Sequence, residues 1–173
     1  MGHSTNKDTV FVGIDPGASG AICALNVINH EAIFQLTTTN PEHLMDWFAQ
    51  LKAECDVRMI MIEDVHAIPG ASAGSNFKFG YNVGIVNTIA EATGLMVDNI
   101  TPKKWQSGVG LTVSADIKGA ARQKKIKAGV ADICSRLYPK IPIRGPKGGL
   151  MDGRSDALMI AHFASLKYSQ HLK

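Results

Sequence analysis

Thr9-Val10-Phe11-Val12-Gly13-Ile14 constrains this chain more than any other stretch. Consecutive β-branched, aromatic and glycine residues have the composition of a strand buried on both faces. Asp15 stands at its end, and Pro16-Gly17 forces a turn there. Ala18-Ser19-Gly20-Ala21-Ile22-Cys23-Ala24-Leu25 then resumes in small and apolar residues, which predicts a hairpin returning along the first strand. An acid at the carboxyl end of a central strand is costly to bury unless a cation meets it. Asp15 is therefore either the solvated acid of an Asp-Pro-Gly turn or a ligand in a metal or phosphate site.

The remaining totals narrow the class. The chain has 173 residues, 45% of them apolar and 19% charged, enough for a full core in one globular unit. Residues 9–173 read as one domain, and the polar lead-in 1–8 as disordered or tag-derived. No apolar run approaches the ~20 residues of a membrane span, and the N-terminus lacks a signal-peptide core. Cys23, Cys55 and Cys134 are widely spaced, without a Cys-x-x-Cys pair, and read as reduced thiols of a cytoplasmic protein with no membrane partner. Charge is unevenly spread. Residues 1–100 hold 4 Lys/Arg against 11 Asp/Glu, a net of −7, and residues 101–173 hold 14 against 4, a net of +10. An acidic half able to hold cations is followed by a basic half able to hold a polyanion.

Along the chain, Glu31–Leu36 alternates as a half-buried strand. Asn40 caps a helix with Pro41 at its first position, and Leu44, Trp47, Phe48 and Leu51 form its apolar stripe. Val57–Ile62 is a second buried strand that also ends in acid, Glu63-Asp64. Residues 68–76 read as a loop. Phe79, Val83, Val86, Ile89 and Ala90 mark a helix ending at Gly94, with Gly80 and Gly84 spaced for close approach of another backbone, such as a partner subunit. A short strand from Leu95 runs to Thr101-Pro102. Ser114–Tyr138 reads as one long helix with a basic stripe at Lys118, Arg122 and Lys125, flanked by Lys124 and Lys127. Residues 139–149 form an irregular cationic loop carrying Lys140, Arg144 and Lys147, and Asp152-Gly153-Arg154-Ser155-Asp156 opens the last helix.

Asp152 and Asp156, at i and i+4, project from one face of a helical first turn. They are either a cap and a dipole-favoured acid or part of a site with Asp15 and Glu63. Carboxylates converging without a basic partner do not stay ionised in a dry site unless metal is present. Hard oxygen ligands select Mg2+ or Mn2+. A P-loop, a serine elbow and a zinc-spaced histidine pair are all missing from the sequence. His66, after Glu63, is a loop histidine near the same acid. Lys103-Lys104-Trp105 and Phe77-Lys78-Phe79 with Tyr81 interleave bases with aromatics, a pattern that suits stacking on unpaired bases, with core packing as the alternative role.

The ordered combination of Gly13-Ile14-Asp15-Pro16-Gly17, Ile62-Glu63 and Asp156-Ala157-Leu158-Met159-Ile160-Ala161 resembles the RuvC-type Holliday junction resolvases over nearly the whole chain. Asp-Gly-x-x-Asp-Ala-Leu and Pro102-Lys103-Lys104-Trp105-Gln106 resemble the phage-borne branch. The resemblance implies an RNase H-like α/β fold, a mixed five-stranded sheet flanked by helices. It also implies a homodimer that resolves four-way DNA junctions by two symmetric nicks, using Mg2+ (with Mn2+ as substitute), two ions per site. Asp15, Glu63, Asp152 and Asp156 would occupy the four acidic positions, with Asp15 bridging the ions. In the bacterial pattern the last two acids stand three apart. Here they stand four apart with Gly153 three back, and either offset keeps both on one helix face. Phe77 is the candidate for the family's aromatic at the opened crossover. Lys78, Lys103, Lys104, Lys118, Arg122, Lys124, Lys125, Arg144 and Lys147 are the candidate phosphate grips. An RNase H-like nuclease on RNA–DNA hybrids or other branched DNA uses the same carboxylates, and a non-catalytic junction-binding module would keep the basic half without needing the acids.

Overall fold

The computed structural model describes residues 7–17, 19–37, 40–68 and 70–171, with side chains to 168. Five strands, β1 (Asp8–Ile14), β2 (Ala21–Asn26), β3 (Glu31–Leu36), β4 (Cys55–Glu63) and β5 (Val97–Ile100), form one sheet in the order β3-β2-β1-β4-β5. The β1–β2 and β2–β3 pairs are antiparallel, whereas β4 and β5 run parallel to β1, so the sheet is mixed. The first hairpin and the acidic strand end at Glu63 are where the sequence puts them. β1 begins at Asp8, inside the lead-in expected to be unstructured, while residues 1–6 of that expectation lie outside the described ones. Among the described residues no helix is long and apolar enough to cross a membrane, and Cys23, Cys55 and Cys134 are free thiols.

Alternation along the strands divides the core. Val10, Val12 and Ile14 of β1, with Ile60 and Ile62 of β4, face α1 (Pro41–Glu54) and α2 (Ala73–Ala92). Phe11, Met59 and Met61 face the opposite side, against α3 (Pro102–Gly108), α4 (Gly119–Leu137) and α5 (Asp152–His171). The next residue of each strand, Asp15 and Glu63, therefore falls on the α5 face. Ile14 and Ile62 are register partners, so the two acids leave neighbouring parallel strands at the same level.

α5 lies directly on β1 because Gly13 offers no side chain. A Cβ there would stand 2.2 Å from both the Ala157 carbonyl oxygen and the Ala161 nitrogen. Asn40 caps α1 by accepting the Glu42 N–H, as expected. Leu44, Phe48 and Leu51 are buried, while Trp47 is only partly so and meets Phe48 edge-on.

Two helix boundaries differ from the sequence reading. α2 starts at Ala73, inside the stretch expected to be a loop, because Ser72 caps it by accepting the Ser75 N–H. That cap offsets the weak helix propensity of Gly74 and Ser75. The long helix over 114–138 is shorter: α4 begins at Gly119, whose φ of +58° breaks the helical path. The preceding turn is held instead by Ser114 donating to Asp116 and by Arg122 Nη1 donating to the Ser114 carbonyl at 3.0 Å.

Candidate active site

The site forms where β1, β4 and the first turn of α5 meet. Asp15 Oδ1 accepts the Gly17 N–H at 2.9 Å, which ties the carboxylate to the Pro16-Gly17 turn. Gly20 in the same hairpin bridges to Gly153, bringing the α5 N-terminus against the end of β1. A Cβ on Gly153 would stand 2.2 Å from the Ser19 carbonyl oxygen and 2.9 Å from the Gly20 Cα. The position three before Asp156 therefore has no room for a side chain, and Asp152, one residue earlier, carries the acid.

Asp15, Glu63, Asp152 and Asp156 act on one another electrostatically. Burial raises the Asp15 carboxyl above its ordinary value, with Asp152 adding repulsion, while the Gly17 N–H and Lys127 oppose both. Glu63 is raised to about 7, first by burial and then by Asp15, against the lowering hydrogen bond from Trp105. Asp156 is raised to about 8 by burial and by Asp15, Glu63 and Asp152 in turn, with Lys127 lowering it. One ammonium group, Lys127, acts on three of the carboxylates, Asp152, Asp156 and Asp15. Lys127 of α4 forms an ion pair with Asp152, and that hydrogen bond raises the Lys127 ammonium above its usual range.

The donor set fits a hard divalent cation: all carboxylate oxygen, partly dry, and short of positive charge. As placed, no three His, Cys, Asp or Glu side chains among the described residues close on one point as a finished ligand set. The acids share a field, and a cation would have to draw them together.

The predicted phosphate grips are scattered more widely. Lys124 and Arg144 line a groove with Lys127, Leu150 and Asp152, so two of them stand beside one of the four acids. Lys118, Lys125 and Lys147 are exposed on the same basic half, and Lys103 and Lys104 are exposed on α3. Arg122 Nη1 donates to the Val113 and Ser114 carbonyls in the turn before α4, as Arg144 Nη1 donates to the Gly148 carbonyl. Phe77 is 76% exposed and Tyr81 63%, on the half of α2 nearest its start, with Lys78 also exposed and Phe79 half-buried. His66 is exposed in the loop after Glu63.

Two residues at the site were not assigned to it from sequence. Lys127 reads as one more base flanking a stripe, and nothing local to it announces Asp152, 25 residues away. Trp105 reads as a candidate stacking residue, yet it is fully buried and its Nε1–H donates to Glu63 Oε1 at 2.8 Å.

No protein-family model and no curated protein matches the sequence. Solved structures do match. The structure of Thermus thermophilus RuvC in complex with a Holliday junction substrate aligns with a TM-score of 0.58 at 16% identity, covering 94% of this chain and 96% of that one. A second Thermus thermophilus RuvC structure aligns with a TM-score of 0.55, with the same identity and coverage. These likenesses span both chains almost from end to end, and what they show is architecture: this protein has the RuvC-type, RNase H-like fold.

Proposed function

We propose that this chain is a structure-selective endonuclease that resolves four-way DNA junctions by divalent-metal-assisted phosphodiester hydrolysis. The observation that carries this reading is that Asp15 and Glu63 at two strand ends and Asp152 and Asp156 on the first turn of α5 lie within electrostatic reach of one another, on a fold shared with RuvC bound to a Holliday junction. Asp15, Glu63 and Asp156 are the residues that would hold Mg2+ or Mn2+, with Asp152 completing the set. Metal at such a site supplies an activated water and charge stabilisation of the leaving oxygen.

The protein's own part is to position and to hold protons. Burial and mutual repulsion favour the protonated forms of Glu63 and Asp156, and a bound cation would favour the carboxylates instead. Lys124 and Arg144 share a groove with Asp152 and would seat backbone phosphates without reading sequence. A homodimer would supply two such sites for paired nicks. The exposed face of α2 bearing Gly80 and Gly84, open around both glycines and lined by Pro41, Met45, Tyr81 and Ile85, supports that assembly.

The test is incubation with synthetic four-way junctions, linear duplex and RNA–DNA hybrid, with and without Mg2+. Paired nicks in the junction that need Mg2+ and vanish in Asp15→Asn are expected. Preferential cleavage of the hybrid assigns an RNase H-like activity instead, and junction binding without nicking assigns a binding module.

A further inference from the structure

We infer that Trp105 is the positioning residue for Glu63: the buried indole holds one carboxylate oxygen and leaves the other to the acidic cluster. The inference rests on the proposed metal-dependent nuclease reading and adds a residue to its site. Trp105 Nε1–H donates to Glu63 Oε1 at 2.8 Å, and the indole has no exposed surface.

Two features keep the ring in place. α3 starts immediately after β5, and Ile100 at the end of β5 is the register partner of Glu63 itself. At its other end α3 is pressed against α5, since a Cβ on Gly108 would stand 2.0 Å from the Phe163 ring. The helix that carries Trp105 is thus fixed both to the strand carrying Glu63 and to the helix carrying Asp156. An indole N–H is a donor only and carries no charge. It orients the carboxylate without neutralising it, which an ammonium in its place would do. Hydrogen bonds of this kind to a ligating carboxylate are worth about 10–100-fold in metal affinity.

The test uses the full chain, with Mg2+ as the probe in the spectrum and Mn2+ as the probe in calorimetry. The protein has two tryptophans, so Trp47→Phe assigns the two indole N–H resonances in a 15N–1H spectrum. Titration of wild type with Mg2+ is expected to move the Trp105 resonance along a saturating curve, and Glu63→Gln is expected to abolish that movement. Trp105→Phe is expected to weaken Mn2+ binding, read by calorimetry, about 10–100-fold. A folded Trp105→Phe protein binding Mn2+ within twofold of wild type overturns the inference and leaves the nuclease reading standing. Wild type that binds no Mn2+ overturns both. Should Trp105→Phe fail to fold, the resonance decides alone: movement retained in Glu63→Gln, or no movement in metal-bound wild type, refutes the positioning role.

Discussion

Gly153 at the start of α5 lies flush against Gly20 of the first hairpin, with backbone where either residue's side chain would go. This packing, with the seat of α5 on Gly13, fixes where Asp152 and Asp156 stand relative to Asp15. Side-chain volume at these glycines is therefore excluded by the site's own geometry.

Gly13→Ala places a methyl group in the path of the α5 backbone, which cannot yield as a flexible side chain does. Overpacking of this kind costs on the order of 3 kcal/mol, or a melting temperature lowered by roughly 6–12 °C in a chain of this size. Calorimetry or thermal circular dichroism reads the change. A shift below about 2 °C would show that α5 is not seated as described.

The acids should not contribute equally. Asp15→Asn and Asp156→Asn remove charge from the interior of the cluster and are expected to lower Mg2+-dependent junction cleavage on the order of 10^3-fold or more, because several kcal/mol of metal-borne stabilisation is lost. Junction binding should be retained. Asp152 is already paired with Lys127, so Asp152→Asn is expected to cost less than Asp156→Asn in the same single-turnover assay. The reverse order would assign Asp152 the inner role.

Stability without divalent ions should fall as pH rises. Glu63 and Asp156 are raised to about 7 and about 8, so between the ordinary carboxylate range near 4 and about pH 8 the folded state binds more protons than the unfolded chain. The slope of unfolding free energy against pH is then negative. The contribution is present in full at low pH, is lost through this window, and is on the order of a few kcal/mol. Melting in EDTA at pH 5 and pH 8.5 measures it, and Asp156→Asn should flatten the difference. Adding Mg2+ at pH 8.5 should restore stability, since positive charge relieves the same repulsion.

Salt dependence separates the basic residues. Removing one cation that neutralises a phosphate reduces the slope of log K against log salt by about 0.9 on duplex-like DNA. Lys124→Ala with Arg144→Ala should therefore weaken junction binding and make its salt dependence shallower. Arg122→Ala should leave that slope unchanged and lower the melting temperature, because Arg122 holds the carbonyls of the 113–114 turn. A reduced slope in Arg122→Ala would show that its guanidinium grips phosphate as well.

Local patterns in the chain carried much of this description. The β-rich run 9–14 with its Asp-Pro-Gly stop specified the first hairpin. The Asn40-Pro41 cap specified α1, and an acid at the end of Val57–Ile62 specified the second strand that meets Asp15. Each is a signal contained within a few residues, where turn chemistry and side-chain period act directly. Segment boundaries were harder, since a single serine cap extended α2 and a single left-handed glycine shortened α4.

By itself, then, the sequence determined the strands, the stops that deliver carboxylates at their ends, and the division into an acidic and a basic half. Only the tertiary structure decided that Lys127 meets Asp152, that Trp105 holds Glu63 from the core, and that Arg122 serves the turn before α4. The reason is physical: those pairings depend on how α3, α4 and α5 settle on the sheet, which close packing at Gly13, Gly108 and Gly153 fixes across long stretches of chain.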